Sequence, residues 1–245
     1  MTLKYICLNP LDGILCIDKP CHWTSFDVIR YLRKQFRIAK IGHAGTLDPS
    51  ATGLLIVLLG KATQLFQSLM CLHKTYEGTI QLGVETNTYD LEGEITRRSS
   101  TEGIQLSHVV KAMDSFLGDQ YQIPPMFSAK KLNGTPLYKL ARKGKEVERI
   151  PHLITIFQFH CVSYTETTLR FQLQCSKGTY VRSLAFDLGR KMGCGAHLTG
   201  LRRVQNGPFS IDQAIALQTL ENKSFEDLQN YILPYQNFYA AYPNL

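Results

Sequence analysis

Residues 42–55 read GHAGTLDPSATGLL, and an apolar run, LLIVLL at 54–59, grows out of them. Gly42 and Gly45 bracket His43, and a polar turn delivers Asp48 onto Pro49. Proline donates no backbone hydrogen bond and steers the residue before it away from the helical region. Asp48 is therefore expected in an extended or turn conformation with its carboxylate presented. Taken alone, an Asp-Pro turn between two buried elements is an ordinary surface feature. What surrounds it decides.

Working outward, ILCID at 14–18 reads as a short buried strand. Ser25 is placed to cap a helix through Val28, Ile29 and Leu32 to Phe36, a segment that also holds Arg30, Arg33, Lys34 and Arg37. Residues 75–84 and 169–175 alternate apolar and polar, as half-buried strands do. LSHVVKAMDSFLG at 106–118 predicts an amphipathic helix ended by Gly118, and 179–192 another ended by Gly193. Strands and helices are interspersed irregularly, which predicts an α+β fold with a mixed sheet rather than repeated βαβ units. The tail after Ser210 predicts one helix at about 224–232 and an aromatic end.

Segment 130–149 stands apart. It holds Lys130, Lys131, Lys139, Arg142, Lys143, Lys145 and Arg149 against Glu146 and Glu148, with turn-forming Asn133-Gly134 and Gly144. The whole chain of 245 residues carries 27 basic and 20 acidic side chains, a net charge of +7, which is compatible with a polyanionic partner. Seven cysteines, an odd number with no Cys-x-x-Cys, argue against a disulfide framework or zinc ribbon and fit reduced thiols in a cytoplasm. No histidine pair has metal-site spacing, no aliphatic run is long enough to span a bilayer, and the N-terminus lacks a secretory apolar stretch. LGKAT at 59–63 hints at a phosphate loop, but Leu55 and Ala62 stand where glycine and Ser/Thr are required.

Five blocks carry a resemblance: DGILCIDKP at 12–20, the run at 42–55, KTYEGTIQLGVETNTYDLEGE at 74–94, IPPMFSAKKLNGTPLYKLARKGKEV at 123–147, and CSKGTYVRSLAFDLGRKMGCGAHLTGLRR at 175–203. In order and spacing they resemble the bacterial tRNA pseudouridine-55 synthases of the TruB type. The resemblance implies a pseudouridine synthase fold: a mixed, mostly antiparallel central sheet flanked by helices, with an inserted RNA-binding arm. It implies one catalytic domain over 1–245, an arm at about 124–152 and a helical tail at about 211–245. A C-terminal PUA domain is expected to be absent, since the sequence stops about where that module would begin.

The implied activity is isomerisation of uridine 55 in the tRNA T-loop to pseudouridine. The bond from uracil N1 to ribose C1′ breaks, the base turns within the pocket, and C5 bonds to the same carbon. That chemistry asks for a carboxylate and a pocket that retains the base. No cofactor and no metal are expected, the partner is the T-stem-loop of tRNA, and neither a membrane nor an obligate protein partner is evident. By the resemblance Asp48 is the nucleophile and Arg182 the guanidinium that keeps it ionised. Arg182 would occupy the first turn of a helix, a poor place for a cation unless an anion such as Asp48 lies near. Tyr76 and Tyr180 match the pocket tyrosines, where stacking is worth ~1–3 kcal/mol per base. Lys19 matches a lysine under the site floor, and Leu201 a position whose backbone contacts the base. His43 matches a residue that fills the gap left by the flipped nucleotide. Lys130, Lys139, Arg142, Lys143 and Lys145 are the arm's implied RNA contacts.

Two points stay open. Asp48 has three routes: attack at C1′, addition to C6, or proton abstraction giving a glycal. The alternatives in function are a synthase with other RNA targets and an RNA-folding helper with dispensable catalysis. One departure also stands out: the family commonly has glycine where KPCHWTS places His22, and a positive φ there would strain histidine.

Overall fold

The computed structural model describes residues 12–128, 130–132 and 134–242. Cys7, Asn133 of the expected turn and the final three residues of the tail lie outside the described residues. The remaining six cysteines are free thiols. By internal packing the chain divides into two units, Met1–Leu72 with Arg202–Leu245, and His73–Leu201.

In the first unit the apolar run becomes a strand buried on both faces. Strand β1 (Gly13–Lys19) is followed by helix α1 (Ser25–Phe36), β2 (Ile41–Ala44) and β3 (Thr52–Leu59). β3 runs antiparallel to β1, with Gly13 opposite Leu59 and Lys19 opposite Gly53. On its other edge it pairs with β2, and with Arg202 and Arg203 in parallel. Strand geometry sends alternate side chains to opposite faces. Leu55, Val57 and Leu59 pack with Val28, Ile29, Leu32 and Phe36 of α1. Leu54, Ile56 and Leu58 pack on Leu65, Leu69 and Phe238. Each fully buried side chain of this kind contributes roughly 1.5–3 kcal/mol.

Two local expectations are corrected here. Thr24, not Ser25, caps α1: its hydroxyl accepts the Asp27 N–H at 3.0 Å, and the Asp27 carboxylate accepts the Thr24 N–H at 3.0 Å. Ser25 turns inward instead. The tail at 211–245 is not simply helical. Ser224 caps a short helix, Phe225–Gln229, but Ile215–Ala216 and Ile232–Pro234 both pair with β1 before a second helix, Tyr235–Ala241. The open edge of β1 supplies backbone partners that local sequence does not reveal.

The second unit is an antiparallel sheet in the order β4 (Lys74–Leu82), Thr168–Cys175, His152–Tyr164, Gly118–Gln122. Ile80, Leu82, Leu169, Phe171, Leu173, Ile154 and Phe159 are buried. The helix expected over 106–118 covers only Leu106–Asp114, because Gly118 takes φ 88 and opens the edge strand. The other expected helix is Val181–Lys191. The arm is a small hairpin, Lys131–Leu132 with Thr135–Pro136 turning at Gly134, followed by the short helix Leu137–Ala141. The fold is thus α+β with mixed pairing, as the sequence predicts.

Candidate active site

The turn carrying Asp48 is pinned at four points, all within the first unit. The Ser25 hydroxyl accepts the Leu47 N–H at 2.8 Å and donates to the Leu47 carbonyl at 3.2 Å. His22 N–H donates to the Pro49 carbonyl at 2.8 Å, and Ala51 N–H to the Asp48 carbonyl at 3.1 Å. Lys19 is fully buried and donates to three carbonyls, Pro20 at 2.9 Å, Trp23 at 2.6 Å and Pro49 at 3.3 Å. Its ammonium therefore ties the 20–23 turn to the residue following Asp48. Burial pulls the Lys19 pKa down to about 8; the nearby Cys21 and Asp48 oppose that shift, while Arg203 adds to it.

Arg203 is the fourth pin, and the sequence reading passed over it. It is 1% exposed and donates from Nε to the Leu54 carbonyl at 2.7 Å and from a terminal nitrogen to the Gly45 carbonyl at 2.9 Å. The guanidinium thus spans both ends of the 45–54 segment. Gly45 takes φ 91, and a Cβ there would stand 3.2 Å from the guanidinium, so glycine answers both to conformation and to this approach. His43 lies beside this group. Burial, and then the Arg203 charge, lowers its pKa, so the imidazole is neutral at neutral pH. Its Nδ1 is buried without a hydrogen-bond partner among the described residues.

The second unit assembles the other expected residues. Tyr76 lies on β4, 8% exposed, opposite Leu173. Tyr180 precedes the helix Val181–Lys191 and is clamped by buried Gln122, whose amide accepts the Tyr180 N–H at 2.8 Å and donates to its carbonyl at 3.1 Å. The His152 ring meets Tyr180 edge-on at 6.0 Å. Arg182 is 5% exposed in the first helical turn. It donates to the Phe127 carbonyl at 2.7 Å and lies 3.6 Å from an Asp90 carboxylate oxygen. Asp90 is equally buried, and its other oxygen accepts from the Thr88 hydroxyl at 2.5 Å and the Glu92 N–H at 3.1 Å. Asp90, like Arg203, is a residue that sequence reasoning missed. The signal was present: a cation at a helix N-terminus calls for an anion, and NTYDLEG holds one. Leu201 is half-buried near the middle of the strand Ala196–Asn206.

The arm presents Lys139, Arg142, Lys143 and Lys145 to solvent, and none is in an ion pair among the described residues. Lys130 differs, with its ammonium 3.4 Å from the Ile150 carbonyl, where it braces the two ends of the arm. Among the described residues no group of three His, Cys, Asp or Glu side chains is placed to hold a metal ion. Among them too, no helix is long and apolar enough to cross a membrane.

Residues 33–181 match the TruB family pseudouridylate synthase N-terminal domain, and 182–238 match the tRNA pseudouridylate synthase B C-terminal domain. The chain is 46% identical over 235 residues to the tRNA pseudouridine synthase B of Opitutus terrae, covering 96% of each chain. It is 41% identical over 235 residues to the Clostridium tetani protein of that name, covering 96% of this chain and 80% of that one. Among solved structures, a chain of a Cbf5-Nop10-Gar1 complex superposes with a TM-score of 0.71 at 26% identity, over 91% of this chain and 60% of that one. On the extent of these matches, the chain belongs to the TruB family of pseudouridylate synthases.

Proposed function

We propose that this protein isomerises uridine 55 in the T-loop of tRNA to pseudouridine, with Asp48 as the nucleophile. The observation that carries the reading is the Asp48 turn itself. A half-exposed carboxylate stands on a segment that two buried cations and a buried hydroxyl hold to backbone carbonyls. Fixing a reactive group before the substrate arrives is where positioning gains most. Arg182 keeps Asp48 ionised in this reading, Tyr76 and Tyr180 retain the detached uracil, and the Leu201 backbone contacts the base. Neutral His43 fills the space the flipped nucleotide leaves. Asp90 positions Arg182. The two units act as one catalytic domain, and the arm at 124–152 grips the stem through phosphate contacts.

The test is pseudouridine mapping in an unmodified tRNA transcript treated with the wild-type protein and with Asp48→Asn. The reading predicts modification at position 55 with wild type and none with the variant, while both bind the transcript. Modification at other positions alone would instead support a different RNA target, and full activity of Asp48→Asn would remove the nucleophile assignment.

A further inference from the structure

The solvent side of α1 carries Arg30, Arg33, Lys34 and Arg37, all exposed, and the helix has one carboxylate, Asp27. Beside it lies a groove of about 510 Å³ lined by His22, Trp23, Asp27, Arg30, Tyr31 and Lys34. Trp23 and Tyr31 meet edge to face at 5.9 Å and pack on the core beneath, which makes a firm apolar wall with cations along its lip. Two carboxylates temper that charge. Asp27 is committed to the helix cap, accepting from the Thr24 N–H and hydroxyl, and it pairs with Arg30 at 2.6 Å. Glu221 stands near Tyr31, whose hydroxyl pKa is raised first by burial and then by that charge. Arg33, Lys34 and Arg37 have no ion-pair partner among the described residues.

His22 is the unusual member. It takes φ 65, a conformation glycine adopts at lower cost. The backbone has a reason to bend there, since the His22 N–H reaches the Pro49 carbonyl. The imidazole has none: it is exposed and forms no hydrogen bond or ion pair with the described residues. Glycine would meet every internal requirement of the turn. The side chain at this strained position is exposed and lines a basic groove, where it is available to a ligand.

We propose that this groove is a second RNA-binding subsite, built of residues that neither the arm nor the proposed uridine site uses. Phosphates of the substrate strand lie against His22, Arg30 and Lys34, and a sugar or base rests on the Trp23–Tyr31 wall. The cations continue along α1 to Arg37, beyond the groove, so the surface is open-ended and fits a polymer better than a mononucleotide. Through Pro49 the His22 lip adjoins the residue after Asp48, so a strand held here is held close to the nucleophile. The inference rests on the reading of tRNA as substrate.

The experiment measures the affinity of the full chain for an unmodified tRNA transcript across a salt series. It compares wild type, Arg30→Ala with Lys34→Ala together, and His22→Gly, each with its thermal midpoint. The paired variant should bind more weakly and lower the slope of log Kd against log salt by roughly 1.4 units, as when two phosphates of a single strand are no longer neutralised. His22→Gly should melt no lower than wild type and still bind more weakly. Unchanged affinity and slope in the paired variant, or wild-type binding by His22→Gly, overturns the subsite. If the paired variant fails to fold, His22→Gly decides alone. Pseudouridine formation by wild type is scored in parallel: a protein that binds tRNA without modifying it refutes the proposed function, while the binding comparison still decides the groove. Absence of tRNA binding by wild type overturns both.

Discussion

The turn that carries Asp48 and the arm at 130–149 are built on opposite plans. The turn is short, glycine-punctuated and fastened to the core by Lys19, Ser25 and Arg203, whose polar atoms are spent on backbone carbonyls. The arm has few such ties, and Lys139, Arg142, Lys143 and Lys145 face water. The difference follows from what the proposed function asks of each. A reacting carboxylate loses rate for small displacements. A phosphate grip draws on charge, which acts over several ångströms and tolerates motion. In this reading buried cations fix geometry in one region, and exposed cations supply attraction in the other.

The largest expected effect lies in the second unit, where the buried Arg182–Asp90 pair fixes geometry by the same means as the buried cations of the turn. Removing one partner of a buried ion pair strands the other charge, at a cost of about 3–5 kcal/mol. Asp90→Asn and Arg182→Met are each expected to lower stability by about that much in chemical denaturation. The double variant should recover part of the loss in stability and none of the activity. Additive losses would mean that the 3.6 Å contact carries no coupling.

Lys19→Met comes next. It deprives the Pro20, Trp23 and Pro49 carbonyls of their donor, at about 2–3 kcal/mol in all. Because the Asp48 turn loses an anchor, kcat should fall while the affinity for tRNA stays near wild type. A fall in affinity alone would mean that Lys19 serves binding and not position.

Neutralising Lys139, Arg142, Lys143 and Lys145 together should leave stability unchanged and lower the salt slope of tRNA binding, by roughly 0.7–0.9 units for every phosphate these side chains neutralise in the wild type. An unchanged slope would make the arm a solvated face.

The smallest effect belongs to His43. Its ordinary pKa is 6.5 and the fold lowers it, chiefly by burial. As pH falls through 6.5 the unfolded chain takes up the proton before the folded one, so the folded state loses stability in that window. His43→Gln should flatten the dependence of the thermal midpoint on pH below 6.5. An identical slope in the variant would assign the acid sensitivity elsewhere.

What the sequence disclosed follows the range of the interactions involved. β1, β3 and α1 are legible because apolar residues at the right period need no distant partner to identify them. Thr24 and Ser25 are adjacent hydroxyls, and only the Asp27 carboxylate three residues on favours the former as cap. The tail misled because Ile215–Ala216 and Ile232–Pro234 are strands by virtue of β1, about 200 residues away in sequence. Asp48, Tyr76 and Arg182 were reached through the resemblance, not through periodicity. Arg203 was invisible for a related reason: within GLRR it looks like a surface cation, and its role depends on Gly45 and Leu54, 158 and 149 residues distant. Asp90 carried only an indirect signal, the want of an anion near Arg182, since nothing local in NTYDLEG pairs the two. His22 was legible as a departure, and φ 65 bears out the strain expected there.

The division of labour between the two regions is tested most directly by one crossed measurement: single-turnover pseudouridine formation at saturating tRNA, and Kd for the same tRNA, for Asp48→Asn and for the fourfold arm variant. The account predicts that Asp48→Asn loses the rate by on the order of 10³-fold or more while keeping its Kd. The arm variant should lose affinity while its rate at saturation changes far less. If Asp48→Asn weakens binding as much as it slows the reaction, or if the arm variant loses rate as steeply as affinity, position and attraction are not divided between these regions and the account is wrong.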